Sequence, residues 1–156
     1  MPASPAGHRR AGPRSDPPSL LIRMAFETGP SAAGGRPRLL LVEDHEDTGV
    51  VFKKILEQLG YDVVLATSVR AAIASYEESS FDAMISDIGL PDGTGWEVMR
   101  HVAQKRLVPA IAMSALCTPE DIQRSMAAGF RAHLAKPMNF STLGGLLHSL
   151  TRPAPT

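Results

Sequence analysis

The chain has 156 residues but only one cysteine, which excludes an internal disulfide and a zinc site built from several cysteines. No apolar run approaches the roughly 20 residues that a membrane-spanning helix needs. An excess of either charge is also missing, because 16 Lys and Arg residues balance 16 Asp and Glu residues. A strongly basic nucleic-acid surface is therefore not expected. These absences predict a small cytoplasmic protein that binds neither nucleic acid nor a membrane.

The zero net charge is an average over two unlike segments. Residues 1–37 carry five arginines against two acids, a net +3, and residues 38–156 carry 11 basic against 14 acidic residues, a net −3. The first segment also holds seven of the 13 prolines and five of the 13 glycines. We predict that residues 1–37 form a disordered tail, either passive or a basic arm that contacts a partner. Residues 152–156 are predicted to be a short C-terminal tail, and Met24 is a candidate second translation start.

Short apolar segments alternate with helical patterns between residues 38 and 151. Predicted strands cover 38–42, 62–66, 81–86, 108–113 and 131–135, and predicted helices cover 46–59, 69–76, 96–103, 119–128 and 140–150. In the first helix the apolar spacing places Thr48, Val51, Phe52, Ile55 and Leu59 on one face. Five successive strand–helix units predict an α/β fold, a doubly wound five-stranded parallel sheet with helices on both faces.

Polar residues follow the strands at the edge where such sheets bind ligands. The carboxyl ends of parallel strands meet at one edge, and ligands bind there at the point where strand order reverses. We therefore expect these residues to converge. In chain order they are Glu43 and Asp44 after the first strand, Asp87 at the end of the third, Ser114 after the fourth, and Lys136 and Pro137 after the fifth.

The chemistry of this set points to phosphoryl transfer. Clustered carboxylates repel one another unless a cation joins them, and Mg²⁺ commonly binds one or two carboxylates together with water and phosphate. One carboxylate can attack phosphorus and form an aspartyl-phosphate. A metal ion and a lysine would then hold the phosphoryl oxygens, and a serine hydroxyl would donate a further contact.

These residues lie within motifs that resemble one known family, the response-regulator receiver domain. The matching motifs are Leu-Leu-Val-Glu43-Asp44, Ile-Ser-Asp87-Ile-Gly-Leu-Pro91-Asp-Gly-Thr-Gly95, Ala-Met-Ser114-Ala115 and Ala-His133-Leu-Ala-Lys136-Pro137. The resemblance covers residues 38–150 and is stronger to receivers of hybrid histidine kinases than to those of transcription factors. It implies a flavodoxin-like (βα)5 fold over residues 38–151. It also implies phosphotransfer from a histidine kinase or a histidine phosphotransfer protein to one aspartate.

The resemblance also implies a role for each acidic residue and for the lysine. Asp87 corresponds to the phospho-acceptor. Asp44, Asp87 and the backbone carbonyl of Gly89 would be Mg²⁺ ligands, and Glu43 would act through a metal-bound water. Lys136 would pair with the phosphoryl group or, before phosphorylation, with the carboxylates.

Two further positions correspond to the switch residues of the family. Ser114 would move to meet a phosphoryl oxygen. His133 stands where the family places its switch aromatic, and it is either a switch residue or an ordinary strand residue. The bond between Lys136 and Pro137 is expected to be cis, which an X-Pro bond adopts at a cost of about 0.5–1 kcal/mol.

Other residues have weaker assignments. Gly49 and Val50 are placed on the outward side of the first helix, the surface that docks the phosphodonor in the family, although ordinary surface variation explains them equally well. Four of the histidines do not show the sequence spacing typical of metal ligands: His8, His45, His101 and His148.

The favoured function is a stand-alone receiver that acts through a downstream protein and catalyses at most its own phosphorylation and dephosphorylation. Only six residues follow Leu150, so we expect no output domain, and the fourth helix, fifth strand and fifth helix would form the output face. A receiver-like binding module that works without phosphorylation is the alternative. A phosphatase of the haloacid-dehalogenase type is a remote alternative. Such an enzyme needs a second aspartate two residues after the nucleophile, where this chain has Gly89, and Asp92 lies five residues after Asp87.

Overall fold

The computed structural model describes residues 35–151, so the predicted tails lie almost wholly outside the described residues. Within this range, no helix is long and apolar enough to span a bilayer. The elements are β1 (Arg38–Val42), α1 (Glu46–Gln58), β2 (Asp62–Ala66), α2 (Val69–Glu78), β3 (Ala83–Asp87), β4 (Gly89–Leu90), β5 (Gly93–Thr94), α3 (Gly95–Lys105), β6 (Ala110–Ser114), α4 (Pro119–Ala128), β7 (Ala132–Ala135) and α5 (Phe140–Thr151).

Five of the strands form one parallel sheet in the order β2-β1-β3-β6-β7, and β4 and β5 form a separate antiparallel hairpin. The predicted doubly wound α/β fold is confirmed, whereas the hairpin was not predicted. The strand order reverses between β1 and β3, where Val42 pairs with Ser86. The carboxyl ends of these two central strands therefore form the switch point at which such sheets bind ligands.

The strands are buried on both faces, because helices cover the sheet from two sides. Leu40 and Val42 pack in a core cluster with residues of α2, α3 and α4. Their neighbours Leu39 and Leu41 point the other way, into a second cluster with residues of α1 and α5. The alternation of side chains along each strand thus explains why these segments are continuously apolar.

Helix α1 presents a different face to the core from the one that the spacing predicted. Its buried residues are Gly49, Phe52 and Leu56, while Val51 is 56% exposed. The outward placement of Gly49 is therefore wrong. A Cβ atom added to Gly49 would lie 3.0 Å from both terminal methyl carbons of Leu65, so the glycine lets α1 approach β2 closely. Val50 is exposed, as predicted.

Helix α4 shows how local sequence sets the limits of an element. Pro119 occupies the first turn, and the Thr118 hydroxyl caps the helix by accepting the backbone N–H of Asp121 at 3.2 Å. The helix ends at Gly129, whose φ of 118° is in the left-handed region that glycine tolerates best. These limits match the prediction, and they return the chain to the sheet as β7.

Candidate functional site

Three strands place the central charges of the site. Glu43 directly follows β1, Asp87 is the last residue of β3, and Lys136 directly follows β7. The Lys136 Nζ donates to Asp87 Oδ2 at 2.7 Å and to Glu43 Oε2 at 3.0 Å. The two carboxylates are largely withdrawn from solvent, with side-chain exposures of 10% and 2%. One ammonium group therefore bridges two buried carboxylates that come from different strands.

The protonation energetics of this cluster follow from burial and pairing. Burial raises the pKa of Asp87, and the hydrogen bond from Lys136 only partly offsets this effect. Burial acts in the opposite sense on Lys136, but the hydrogen bonds to Asp87 and Glu43 outweigh it, so the pKa of Lys136 is raised. The lysine is thus held in its charged form beside a carboxyl group whose pKa burial raises.

A compact group of possible ligands lies beside this cluster. Ligand atoms of Glu43, Asp44 and His45 all lie within 4.8 Å of one another. His45 Nδ1 is 3.2 Å from both Glu43 Oε1 and Asp44 Oδ1. The hydrogen bond to Glu43 and the charge of Asp44 raise the pKa of His45. His45, to which the sequence spacing assigned no ligand role, thus lies with its ring against both carboxylates.

The donor set fits a hard divalent cation such as Mg²⁺. Asp44 Oδ1 is buried and has no hydrogen bond within the described part of the chain, and its charge contact is with His45 Nδ1, 3.2 Å away. Such a carboxylate oxygen is costly unless something else satisfies it. Oxygen donors from Glu43, Asp44 and Asp87 are those that Mg²⁺ prefers. Among residues 35–151 the compact group does not include Asp87, whose Oδ2 accepts a hydrogen bond from Lys136.

The segment after Asp87 is held close to the site by a glycine. A Cβ atom added to Gly95 would lie 2.3 Å from the carbonyl oxygen of Asp87, a distance that no side chain tolerates. The Gly95 N–H also donates to the carbonyl of Ile88 at 2.9 Å. The hairpin formed by β4 and β5 therefore leaves and rejoins the fold next to Asp87. Gly89 is exposed within it, and its assignment as a backbone ligand stays a prediction.

The two expected switch residues lie at the same edge but have other partners. The Ser114 Oγ accepts the N–H of Leu116 at 3.0 Å. His133 is half-buried, and its Nδ1 is 2.8 Å from Ser125 Oγ. The Ser125 hydroxyl also accepts the indole N–H of Trp96 at 2.9 Å, while His133 Nε2 has no partner among the residues described. Ser125 was missed in the sequence, where it is a lone serine in the helical pattern of residues 119–128 and has no signal of its own.

An apolar cavity adjoins the charged cluster. It measures about 530 Å³, and Glu43, His45 and Lys136 line it together with apolar side chains that include Phe52 and Phe140. Phe140 is 41% exposed, and its ring is 5.3 Å from that of Phe52. The peptide bond between Lys136 and Pro137, which lies at this cavity, is cis. The buried charges therefore open onto a surface that is largely apolar.

A family model for the response regulator receiver domain matches residues 39–148, most of the chain. The chain belongs to this receiver family. The match has nearly the same limits as the sheet and its helices, so the carboxylates and the lysine described above are the receiver's strand-end residues. The receiver is thereby placed in two-component signalling, in agreement with the resemblance seen in its motifs.

The curated relatives include large sensor proteins. The receiver is 32% identical over 113 residues to the aerobic respiration control sensor protein ArcB of Escherichia coli, covering 70% of this chain and 14% of that protein. It is 31% identical over 106 residues to the sensory/regulatory protein RpfC of Xanthomonas campestris, covering 65% of this chain and 15% of that protein. The chain thus spans about one seventh of the length of these relatives.

Solved structures of isolated receivers match over much more of their length. The non-phosphorylated HemR receiver domain from Leptospira biflexa is 31% identical, with a TM-score of 0.70, covering 77% of this chain and all of that one. Chemotaxis protein CheY4 of Vibrio cholerae is 29% identical, also with a TM-score of 0.70, and covers 74% of this chain and 99% of that one. These likenesses agree with the flavodoxin-like receiver fold.

Proposed function

We propose that the receiver accepts a phosphoryl group on Asp87 from a phosphohistidine, on either a histidine kinase or a histidine phosphotransfer protein. The observation that carries this proposal is the pairing of Lys136 Nζ with Asp87 Oδ2 at 2.7 Å, at the carboxyl end of the central strand β3. A nucleophilic carboxylate beside a fixed ammonium group is the arrangement that transfer to an aspartate needs.

In the proposed step, an oxygen of the Asp87 carboxylate attacks phosphorus while the bond from phosphorus to the donor's imidazole nitrogen breaks. The electron pair of that bond stays with the imidazole, and the phosphoryl group becomes an acyl phosphate on Asp87. The Lys136 ammonium, which already contacts Asp87, would stabilise the negative charge on the phosphoryl oxygens. Ser114, at the end of the neighbouring strand β6, would donate its hydroxyl to one of these oxygens.

Residues on three neighbouring segments would hold the Mg²⁺ ion that receivers generally use. Asp44, Asp87 and the carbonyl of Gly89 would be direct ligands, and Glu43 would act through a bound water. When bound, the ion would add positive charge and so reduce the repulsion between the carboxylates and an incoming phosphoryl group. The buried Oδ1 of Asp44, which has a charge contact with His45 but no hydrogen bond, supports this assignment.

We further propose that the phosphodonor docks over α1 and the start of α5. Phe140 is 41% exposed and lines the cavity that opens onto Lys136, and with Val51, which is 56% exposed, it also lines a shallower pocket beside α1. Val50 on the same helix is 45% exposed. Such an apolar rim suits contact with a helix of the donor. In this proposal the receiver signals through another protein, catalyses only reactions of its own phosphoryl group, and works in the cytoplasm.

The assignment of Asp87 can be tested with acetyl phosphate and Mg²⁺. Intact-mass spectrometry should show that wild type gains one phosphoryl group, while Asp87→Asn gains none. Asp82→Asn is a matched control, because Asp82 is an exposed aspartate that precedes the same strand. Equal labelling of Asp87→Asn would refute the assignment.

The same assay separates the alternative functions. A correctly folded wild type that no phosphodonor labels would support a phosphorylation-independent binding module. Turnover of unrelated phosphoesters would support the phosphatase alternative instead.

A further inference from the structure

The turn of the hairpin after the phospho-acceptor strand carries a carboxylate that binds the amino end of another helix. Asp92 lies between β4 and β5. Its Oδ1 accepts the backbone N–H of Val69 at 2.7 Å, and its Oδ2 accepts the N–H of Arg70 at 3.0 Å. Both oxygens of one side chain are thus used to link the hairpin to the start of α2, more than 20 residues earlier in the chain.

Asp92 completes the amino end of α2. The first backbone N–H groups of a helix have no partner within the helix. The Ser68 hydroxyl accepts only the N–H of Ala71, at 3.0 Å, and the first turn of α2 contains no acidic residue. The N–H groups of Val69 and Arg70, which precede Ala71, donate to Asp92 instead. The negative charge of Asp92 also complements the positive end of the helix dipole. These hydrogen bonds, from Arg70 and Val69, lower the pKa of Asp92.

The hairpin held in this way is part of the site. It begins two residues after Asp87 and contains Gly89, the expected backbone ligand for the cation. It also packs directly on α2, because a Cβ atom added to Gly93 would lie 3.1 Å from Val69 Cγ2. The base of the hairpin is held by the Gly95 N–H, which donates to the carbonyl of Ile88 at 2.9 Å. Gly89 therefore lies between two points of attachment, one at this base and one at the Asp92 turn.

We propose that Asp92 is a positioning residue for the cation site, although it touches neither the cation nor the phosphoryl group. By anchoring the hairpin to α2, it fixes the carbonyl of Gly89 relative to Asp87, so that a ligand is already in place when the cation arrives. This inference rests on the proposed function, in which the Asp87 site binds Mg²⁺. Residues that orient metal ligands commonly change metal affinity by about 10–100-fold when they are replaced.

The test is a titration of the full chain with Mg²⁺ alone. Binding is measured by calorimetry and by the fluorescence of Trp96, the only tryptophan. We expect Asp92→Ala to raise the Kd by about tenfold, at the lower end of the range for residues that orient ligands. Asp92→Asn retains one acceptor oxygen and should give an intermediate Kd. Hydrogen exchange of the Val69 and Arg70 amides should accelerate in Asp92→Ala, which reports loss of the anchor independently of metal binding.

Asp82→Ala is the matched control. The Oδ2 of Asp82 also accepts a backbone N–H, that of Arg38, at 2.8 Å, but at the amino end of the strands, opposite the site. The Asp82→Ala substitution should lower stability but should change the Kd for Mg²⁺ by no more than about twofold, a small difference on the logarithmic scale of affinity. If Asp92→Ala does not fold, Asp92→Asn and Asp92→Ser take its place.

The outcomes separate this inference from the function on which it rests. A wild type that binds Mg²⁺ together with an Asp92→Ala variant of unchanged Kd would overturn the positioning role. A folded wild type that shows no Mg²⁺ binding would instead refute the cation site of the proposed function. An equal rise of the Kd in Asp82→Ala would show that general destabilisation, and not the anchor, controls affinity.

Discussion

Two sets of residues at the sheet edge differ in how far they are assembled: a charged side, Glu43, Asp87 and Lys136, and a switch side, Ser114 and His133, each named for its chemistry. On the charged side, Lys136 contacts both carboxylates directly, with Nζ–O distances of 3.0 and 2.7 Å. On the switch side, the side chains of Ser114 and His133 are hydrogen-bonded to Leu116 and Ser125. The charged side is thus arranged before any ligand binds, whereas the switch residues still have local partners.

The difference follows from the cost of leaving each kind of group unpaired. A buried carboxylate without a counter-charge is strongly unfavourable, so the fold has to bring a cation to Glu43 and Asp87. The side chains of Ser114 and His133 need only suitable hydrogen-bond partners, which a backbone N–H or a serine can supply. A phosphoryl group on Asp87 would offer new hydrogen-bond acceptors to the switch side, Ser114 and His133, while the residues of the charged side stay in place.

The largest expected effect comes from removing the ammonium group. Lys136→Ala would leave two buried carboxylates facing each other, so we expect a loss of about 3 kcal/mol in the free energy of unfolding, the lower end for a broken buried pair. The side chain of Lys136 is 28% exposed, which keeps the effect at that end. Urea unfolding followed by circular dichroism measures it, and added Mg²⁺ should restore part of the loss.

Lys53→Ala is the control for this prediction. Lys53 pairs with Glu57 on the surface of α1 at 3.8 Å, and both side chains are about two-fifths exposed. Such a pair contributes about 0.3–0.5 kcal/mol. Similar losses in the two variants would show that the charged side is no more strongly coupled than an ordinary surface pair.

A smaller effect is expected on the switch side. Ser125→Ala would leave the buried indole N–H of Trp96 and the Nδ1 of His133 without their shared partner, which should cost about 2 kcal/mol. The fluorescence of Trp96 should change in the folded state, since its hydrogen bond is lost. Ser149→Ala, at an exposed serine that donates to Leu146, should change stability by less than about 0.5 kcal/mol. A Ser125→Ala variant as stable as wild type would argue against the hydrogen-bonded link.

The smallest expected effect is a change of stability with pH that comes from Asp92, the residue that anchors the hairpin to α2. The pKa of Asp92 is lower in the folded state, so its carboxylate stabilises the fold above its unfolded pKa of about 3.9. That contribution is lost as the pH falls through the lower, folded pKa. At pH 7 the urea concentration at the unfolding midpoint should therefore be higher for wild type than for Asp92→Asn. The difference between the two midpoints should become smaller as the pH is lowered. A gap that is constant down to pH 2 would contradict the anchor's ionic character.

Much of the fold and of the charged side was predictable from the sequence. Continuous apolar runs mark the buried strands, and the topology of repeated strand–helix units brings their carboxyl ends together. Residues at those ends, such as Asp87 and Lys136, were therefore expected to meet, and the structure places them in contact. The limits of α4 were predictable because Thr118 and Gly129 are strong local signals.

The rest depends on contacts that local patterns do not encode. Asp92 binds the start of α2 and Ser125 joins Trp96 to His133, and both pairings become visible only when distant elements pack. The ring of His45 lies against carboxylates that precede it, which spacing alone does not indicate. The buried face of α1 was misjudged because Val51 is apolar but exposed, while Gly49 is buried by close packing.

The position of Lys136 in the chain sets the order in which the site can form. Lys136 is 93 residues from Glu43 and directly follows β7, the last strand and one edge of the sheet. During synthesis, β1 and β3 emerge first, so their carboxylates are without the lysine until the fifth strand of the sheet docks. The strand that completes the sheet therefore also carries the counter-charge of the buried acids, so the sheet cannot lose β7 without exposing Glu43 and Asp87 to each other unpaired.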